Sequence, residues 1–130
     1  DLYKTEVYRV AAWRNGNVPI GGLGPSGVVI PQNILTKAPT AELRENQTDQ
    51  DSLPPYDILD DILNCLVEQE MSARDVIAKG YAQETVARVV RLLRTAEYKR
   101  RQAAPGAKIS LRNFGRDRRY PLTNRFIEPV

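Results

Sequence analysis

The spacing of apolar residues divides this chain into regions with different expected structures. Near the start, Val7, Val10 and Ala11 lie at positions i, i+3 and i+4, which predicts a helix over residues 4–13. Glycine, proline and asparagine then interrupt every short apolar run, a pattern typical of a loop. Within that loop we predict one short strand at residues 28–30.

Helical spacing returns in the second half of the chain. Residues 56–70 carry an apolar stripe, which predicts an amphipathic helix. Ser72 and Asp75 stand at capping-box spacing before a second, short helix that Gly80 should end. A third helix is predicted over residues 83–101. The apolar residues expected to face the core are Leu59, Ile62, Leu63, Leu66, Val67, Val86, Val89, Val90, Leu93 and Ala96.

A long polar tract separates the two helical regions. Residues 44–53 contain a single sizeable apolar side chain, Leu53, and two prolines follow it directly. Because the residue before a proline is disfavoured in a helix, the tract should stay non-helical up to these prolines. Connections of this length without structure of their own are usually functional or disordered.

Two lysines and a threonine could contact phosphate groups. Lys4 stands in the first turn of the first predicted helix, where the helix dipole favours a bound anion and a solvated lysine costs about a few tenths of a kcal/mol. Lys37 and Thr40 flank a proline and offer an ammonium and a hydroxyl to one anion. The residues alone favour the simpler interpretation, in which Lys4 is solvated and Thr40 caps a short helix at residues 41–44.

The charge of the chain is uneven. The net charge is +3, but residues 99–130 carry nine Lys or Arg against two Asp or Glu, whereas the preceding residues carry ten against fourteen. Such a basic segment indicates an anionic partner: nucleic acid, a phosphorylated ligand or an acidic surface of another subunit. It has no sustained period, and we predict an extended arm with a short strand at residues 108–111. Lys99, Arg100 and Arg101 can equally be the cations that suit a helix C-terminus.

Composition argues against several kinds of site. The 130 residues form one domain at most, and no apolar run approaches the roughly 20 residues needed to span a membrane. The chain has no His and one cysteine, so the usual zinc ligands are missing and no internal disulfide can form, which fits a cytoplasmic protein. Cys65 lies among Leu and Ile on a helical face and is expected in the core. Asp57, Asp60 and Asp61 indicate a helix start rather than a metal cluster.

The residues alone also allow a DNA-binding function. Residues 72–101 have the outline of a helix-turn-helix: a short helix, a turn containing Gly80 and a longer helix that ends in basic residues. Gln83 and Glu84 weaken this interpretation, because the start of the recognition helix would then offer few phosphate contacts. A helix-turn-helix nucleic-acid-binding domain with a basic tail stays open as the alternative.

Four stretches of the chain together resemble one enzyme family. They are DLYKTEVYRVAAW, ILTKAPTAELRENQTDQDSLPPYD, TAEYKRRQAAPGAKIS and FGRDRRYPLTNR, and they run over almost the whole chain. They resemble, in the family's order, the C-terminal part of bacterial glutamine-dependent NAD(+) synthetase, whose synthetase domain is of the ATP-pyrophosphatase type. We therefore expect this chain to be a segment of a longer protein.

The resemblance implies a fold. The parent domain would be an α/β fold, Rossmann-like in its layers and similar to the adenine-nucleotide alpha-hydrolases. The present segment would be mainly α, with short strands and an extended C-terminal arm. Residues 15–57 would hold an insertion and a mobile lid loop, residues 57–101 the helical part, and residues 102–130 the basic extended arm.

The resemblance also implies an activity and its residues. The family converts deamido-NAD to NAD(+) through an adenylate, with ATP and with ammonia that an amidotransferase domain releases from glutamine. Matched motif by motif, Lys4 and Thr40 would contact ATP, whereas Tyr98 and Lys99 would contact deamido-NAD. No catalytic residue and no metal ligand falls on this chain. The ligands of Mg²⁺, the diphosphate-binding loop and the glutaminase domain would lie outside it, so the chain alone should be inactive.

The implied partners follow from that activity. They are ATP and deamido-NAD as ligands, the rest of the synthetase domain, an amidotransferase domain, and further copies in a homo-oligomer. The location would be cytoplasmic, without membrane or nucleic acid. The polar tract would be a mobile cover over the nucleotide, and Lys37, Thr40 and Arg44 would engage phosphate when it closes.

Overall fold

The computed structural model describes residues 2–40, 45–112 and 115–126 of the chain. Within these ranges all regular structure is helical, which confirms the prediction of a mainly α segment. The chain divides into an N-terminal unit that ends at Tyr56 and a C-terminal unit that begins at Asp57. The helices are α1 (Lys4–Gly16), α2 (Gln32–Thr36), α3 (Tyr56–Val67), α4 (Ala73–Ala78), α5 (Gln83–Thr95) and α6 (Glu97–Gln102), with a 3-10 turn at Asp49–Asp51.

Helices α3, α4 and α5 build the core of the C-terminal unit. The stripe predicted on α5 is buried from Val86 to Leu93 at helical spacing, as expected. On α3 the buried face includes Asp60 and Cys65, whereas Leu63 and Leu66 are only partly buried. Burying a side chain of this kind contributes about 1.5–3 kcal/mol. The buried apolar residues are Leu59, Ile62, Cys65, Val67, Ala73, Val76, Val86, Val89, Val90 and Leu93.

Helix α4 begins at the capping box that its sequence predicts. The Ser72 hydroxyl accepts a hydrogen bond from the Asp75 backbone N–H at 3.2 Å, and the Asp75 carboxylate accepts from the Ser72 backbone N–H at 3.2 Å. These bonds satisfy donors that the first turn of a helix otherwise leaves open. Gly80 follows the helix with φ 108°, a conformation that glycine adopts without strain, so the predicted end is confirmed as well.

The single helix predicted over residues 83–101 is interrupted at Ala96, which separates α5 from α6. Side chains satisfy the carbonyls at the end of α5 in place of a continued helical ladder. The Thr95 hydroxyl donates to Arg91 O at 3.0 Å, and Arg100 Nη2 donates to Leu93 O at 2.7 Å. Such local bonds compete with regular helix, which explains why the apolar period alone did not reveal the break.

Both short strands predicted from the sequence are wrong, because neither segment has a neighbouring strand among the described residues. At residues 28–30 an asparagine side chain takes the place of a partner strand. Asn15 Oδ1 accepts from Val29 N at 3.0 Å and from Ile30 N at 2.9 Å, and Asn15 Nδ2 donates to Ile30 O at 2.8 Å. At residues 108–111 the chain turns, and no ladder of backbone bonds forms there in the described part.

The described part of the arm lies against the helical part of its own unit. The backbone N–H of Arg112 donates to Glu68 Oε2 at 3.3 Å. Arg94 Nη1 donates to Phe126 O at 3.0 Å, and the same guanidinium lies 5.9 Å from the centre of the Phe126 ring. The arm is therefore held by side chains of the helices rather than by secondary structure of its own.

The N-terminal unit differs, because none of its described residues is buried. Helix α1 forms where it was predicted and extends to Gly16, but its apolar stripe stays on the surface. Val7, Val10 and Trp13 are each between 43% and 51% exposed. None of the described helices is long and apolar enough to cross a membrane.

Candidate functional site

A concave surface of the N-terminal unit brings three candidate residues together. It is a cavity of about 720 Å³ lined by α1, α2 and the loop that follows α2. Lys4 reaches it from α1, while Lys37 and Thr40 reach it from the loop. We call it the N-terminal cavity. Tyr8 and Asn33 also line its wall.

Lys4 lies beside two aromatic rings. Its ammonium lies 5.4 Å from the centre of the Tyr8 ring and 6.0 Å from the centre of the Tyr56 ring. A cation over an aromatic face gains about 0.5–1 kcal/mol at an exposed site. The α1 start also has a capping box, in which Tyr3 N donates to Glu6 Oε2 at 2.9 Å. Lys4 therefore has aromatic neighbours that the sequence-based interpretation of a solvated lysine did not include.

The polar tract returns to the N-terminal cavity through two contacts of Asp49. Its backbone N–H donates to Pro39 O at 3.0 Å, and its carboxylate accepts a hydrogen bond from the Tyr56 hydroxyl. Pro39 belongs to the loop that carries Thr40, and the Tyr56 ring lies beside Lys4. One residue of the tract thus contacts both the loop that carries Thr40 and the tyrosine beside Lys4.

The 3-10 turn gives the tract its only regular structure among the described residues. Thr48 caps it: the Thr48 backbone N–H donates to Asp51 Oδ2 at 2.8 Å, and its hydroxyl donates to Asp51 Oδ1 at 3.0 Å. These two bonds, the backbone bond first, lower the pKa of the Asp51 carboxyl. The helix that Thr40 was considered to cap, and Arg44, lie outside the described residues.

Tyr98 and Lys99 stand together on α6, and both are exposed. The buried Glu97 sets the rotation of this short helix. Its carboxylate lies 2.7 Å from Arg100 Nη2 and 3.3 Å from Arg101 Nε, the residues three and four positions ahead. Because these positions share one face of a helix, the two residues between them face away from it. Lys99 lies with Arg100 and Arg101 in the last turn of α6, so its role as a cation at a helix C-terminus stays open beside the predicted ligand contact.

Glu97 is the charged residue that anchors this part of the molecule. Burial alone would raise the pKa of its carboxyl. Hydrogen bonds from Arg100, from the Tyr120 backbone and from Arg101, together with the charge of Arg100, outweigh burial and lower the pKa. The carboxylate therefore stays ionised and keeps two arginines in place.

The structure thus places the four predicted site residues as two pairs. Lys4 and Thr40 share the N-terminal cavity, and Tyr98 and Lys99 share the exposed face of α6. Two residues near Lys4 were missed from the sequence. Tyr8 was detectable, since it lies four positions after Lys4 on the same helix. Tyr56 was not, because only the folded chain brings it there.

The residues described here do not form a metal centre. No group of three or more acidic, cysteine or histidine side chains within the described ranges could hold an ion. Asp60 is buried in the face of α3 instead of pointing with Asp57 and Asp61 toward a common ligand. The described residues therefore offer no ligand set for the Mg²⁺ that the family resemblance implies.

Comparison with known proteins supplies the family. Residues 1–103 match the family model described as NAD synthase. The chain is 58% identical over 124 residues to the glutamine-dependent NAD(+) synthetase of Xanthomonas campestris, covering 95% of this chain and 21% of that protein. It is 48% identical over 130 residues to the protein of the same name from Thermotoga maritima, covering 100% of this chain and 21% of that protein.

A solved structure agrees with these relatives. It is the glutamine-dependent NAD+ synthetase of Acinetobacter baumannii in complex with ADP, with 40% sequence identity and a TM-score of 0.54. The match covers 95% of this chain and 20% of that one, so the chain spans about a fifth of the length of its relatives.

These matches lend no support to the helix-turn-helix alternative. Helices α4 and α5 do pack as a helix pair joined by a short turn. The same residues, however, lie within the segment that matches the synthetase family. The matched segment, the relatives at 58% and 48% identity and the solved structure agree with one another, and the chain belongs to the NAD synthase family.

Proposed function

We propose that this chain is part of a glutamine-dependent NAD(+) synthetase, a ligase that amidates deamido-NAD with ATP and ammonia. The observation that carries the proposal is the N-terminal cavity. Lys4 and Thr40 are far apart in the sequence, and each was assigned to ATP by its own motif. The fold brings both to one cavity, together with a second lysine, Lys37.

The N-terminal cavity would hold the phosphates of ATP. Ammonium groups and a hydroxyl make charge-assisted hydrogen bonds to phosphate oxygens, which are about twice as strong as bonds between neutral groups. When the carboxylate of deamido-NAD attacks the α-phosphorus, diphosphate leaves and negative charge shifts among the phosphate oxygens. Fixed cations near those oxygens lower the barrier by electrostatic stabilisation. Lys4, whose ammonium lies near the rings of Tyr8 and Tyr56, would be such a cation.

The exposed face of α6 would contact deamido-NAD. Lys99 offers an ammonium to a phosphate or carboxylate of the dinucleotide, and Tyr98 offers a ring and a hydroxyl. Both stand on a helix whose rotation is set by a buried ion pair, so they are presented without the cost of ordering the helix on binding. Ammonia would then attack the acyl carbon of the adenylate and release AMP.

The polar tract would act as a lid over the nucleotide. Its described contacts with the cavity walls run through the hydrogen bonds of Asp49, and it brings few apolar groups with it. Segments of this kind open at low free energy. The backbone amides of residues 45–53 should accordingly exchange with solvent faster than those of α5 when nucleotide is absent. Equal protection in the two segments would contradict a mobile lid.

We also propose the parts that this segment would need. The parent domain would be a Rossmann-like α/β fold that supplies the diphosphate loop and Mg²⁺ ligands, joined to an amidotransferase domain in a cytoplasmic homo-oligomer. The exposed stripe of Val7, Val10 and Trp13 on α1 supports one element of this proposal, contact with a further protein surface, because adjoining apolar side chains often mark a place of contact.

A chimeric synthetase tests the function. In it, the matched segment of the Xanthomonas campestris protein is replaced by this chain, which is 58% identical to it. The chimera should form NAD(+) from deamido-NAD, ATP and ammonia, while this chain alone should not. The matched control replaces the segment with an unrelated helical sequence of equal length. A chimera that folds, binds ATP and yet forms no NAD(+) would contradict the proposal.

A further inference from the structure

The loop between α1 and α2 presents apolar side chains to solvent and contains no charged residue. Residues 15–36 include no Asp, Glu, Lys or Arg, although these residue types make up 27% of the chain. Ile20 and Leu23 are fully exposed, and Val28 is 76% exposed. We call residues 18–28 the apolar loop. Depletion of charged residues is the compositional mark of the centre of a protein interface, so this loop resembles one half of such a contact.

Polar side chains at the end of α1 hold the apolar loop in place. Arg14 Nη2 donates to Pro25 O at 2.6 Å, and Arg14 Nη1 donates to Asn17 O at 3.1 Å. A Cβ at Gly24 would stand 2.8 Å from Arg14 Nη2, so a side chain there would displace the guanidinium. The three hydrogen bonds of Asn15 fix the segment that follows the loop.

A tight turn places Ile20 at a corner of the loop. Gly22 N donates to Pro19 O at 2.8 Å, and Gly21 between them has φ 75°, a conformation that glycine adopts without strain. These bonds hold the loop in one conformation while its apolar side chains stay in water. A partner surface would therefore not have to order the loop on contact, which favours binding.

The N-terminal unit offers nothing of its own to cover the apolar loop, since none of its described residues is buried. Protein outside this chain is needed for that. The chain spans 21% of the Xanthomonas campestris relative, and the remainder of such a protein lies outside it. A dimer interface buries roughly 800 Å² per partner, more than a few side chains of one loop supply. A contact within one polypeptide needs less area, because the chain already holds both surfaces together.

We propose that the apolar loop docks into an uncharged, apolar recess on the part of the parent synthetase that precedes this segment. The proposal rests on the proposed function in one respect only, that this chain is a segment of a longer synthetase. The recess has to be uncharged, because the loop has no side chain that could pair with a buried charge. A second copy of the protein would be a different occupant, which the experiment distinguishes.

Photo-cross-linking in the chimeric synthetase tests the contact. Ile20→benzoylphenylalanine places the photoreactive group on the loop, and Arg91→benzoylphenylalanine places it on an exposed position of α5 as the matched control. Irradiation should join position 20 to the Xanthomonas part of the same polypeptide, as mapped by mass spectrometry, whereas position 91 should give little product. Mixing isotopically labelled with unlabelled chimera separates bonds within one polypeptide from bonds between two.

Thermal melts test whether the recess is apolar. Ile20→Asp should lower the melting temperature of the chimera by at least about 2 °C, the shift expected when one buried side chain of this size leaves its pocket. Ile20→Leu keeps an apolar group and should lower it less. In the 130-residue chain alone, Ile20→Asp should leave the urea midpoint unchanged, because the side chain is fully exposed there.

Several results would overturn the docking. Cross-links found only between labelled and unlabelled copies would assign the loop to a second copy. No more product at position 20 than at position 91 would show that the loop stays in solvent, and an unchanged melting temperature with Ile20→Asp would exclude an apolar recess. NAD(+) formation is measured separately. An active chimera without the cross-link would overturn the docking alone, and an inactive one with it would overturn the proposed function alone.

Discussion

The two units of this chain divide stability and predicted ATP chemistry between them. The C-terminal unit contains all ten buried apolar residues of the described structure, from α3, α4 and α5. The N-terminal unit contains none, yet it holds the cavity with Lys4, Lys37 and Thr40. The C-terminal unit has a buried core, whereas the described part of the N-terminal unit consists of α1, α2, a 3-10 turn and loops without one.

This contrast explains why the sequence motifs indicated ATP residues in the N-terminal unit, whereas the apolar periodicity indicated a core in the C-terminal unit. A buried core needs apolar residues at helical spacing, whereas a site for a charged ligand needs polar groups on backbone that can move. A substitution in the C-terminal core should therefore act on folding. A substitution in the N-terminal cavity should act on ligand binding and leave folding largely unchanged.

The largest effect is expected from Ile62→Ala. Ile62 is fully buried on α3, and truncating a buried isoleucine costs about 2–5 kcal/mol of the free energy of unfolding. The matched control is Ile20→Ala in the N-terminal unit, where the side chain is fully exposed and the change should stay within about 0.5 kcal/mol. Urea denaturation of the full chain measures both. Equal losses would show that the core is not confined to the C-terminal unit.

Glu97→Gln should give the next largest loss. The substitution leaves Arg100 and Arg101 without their carboxylate partner. Losing such a partner lowers the free energy of unfolding by about 1–3 kcal/mol, and by more for charged groups. The pKa of Glu97 is lowered by folding from the ordinary 4.5, so its stabilising contribution is complete above that pH and is lost as the pH falls through the lower folded value.

The pH dependence separates this role from simple packing. Denaturation midpoints of the parent chain should fall as the pH is lowered from 5 toward 3, and Glu97→Gln should flatten that part of the curve. Glu84→Gln changes an exposed glutamate at the start of α5 and serves as the control. If the denaturation midpoint of the Glu97 variant fell between pH 5 and pH 3 as much as that of the parent chain, the carboxylate would not hold α6.

Much of the C-terminal unit was predictable because its signals are local. The α5 stripe, the Ser72 cap and the end at Gly80 each depend on residues a few positions apart. The break at Ala96 and the burial of Asp60 were not, because they depend on side-chain bonds and packing that only the folded chain provides. The failed strand at residues 28–30 has the same cause, since Asn15 supplies the bonds from another element.

The site was predictable only in part, for a similar reason. Motif resemblance named Lys4, Thr40, Tyr98 and Lys99, but no periodicity could show that the first two share a cavity. The link from Asp49 to Pro39 and Tyr56 was also invisible, because its bonds span between seven and ten positions of a tract without regular pattern.

Substitutions at the predicted ligand residues should affect binding rather than folding. In the chimeric synthetase, Thr40→Ala should raise the KM for ATP more than that for deamido-NAD, and Lys99→Ala should do the reverse. Each removes a hydrogen bond to a charged group, worth about 1.5–3 kcal/mol or roughly ten- to a hundredfold in affinity. Steady-state kinetics with each substrate varied measures the split.

Thermal melts of the same variants exclude a structural explanation. The melting temperatures of the Thr40 and Lys99 variants should match that of the parent chimera, because neither side chain is buried in the described structure. Arg91→Ala provides the kinetic control. A lower melting temperature with unchanged KM values would show that both residues have structural roles only.

The smallest effect is expected from Tyr56, whose ring lies beside Lys4 of the predicted ATP site. Tyr56→Leu removes the ring that lies 6.0 Å from the Lys4 ammonium and also the hydroxyl that donates to Asp49. Tyr56→Phe removes the hydroxyl alone. The cation–π contact is worth about 0.5–1 kcal/mol at an exposed site, so Tyr56→Leu should raise the KM for ATP about two- to fivefold. Tyr56→Phe should keep the ring beside Lys4 and change that KM less, while freeing the tract and speeding amide exchange over residues 45–53. If Tyr56→Phe raised the KM for ATP as much as Tyr56→Leu, the hydroxyl and not the ring would position Lys4, and the cation–π account would be wrong.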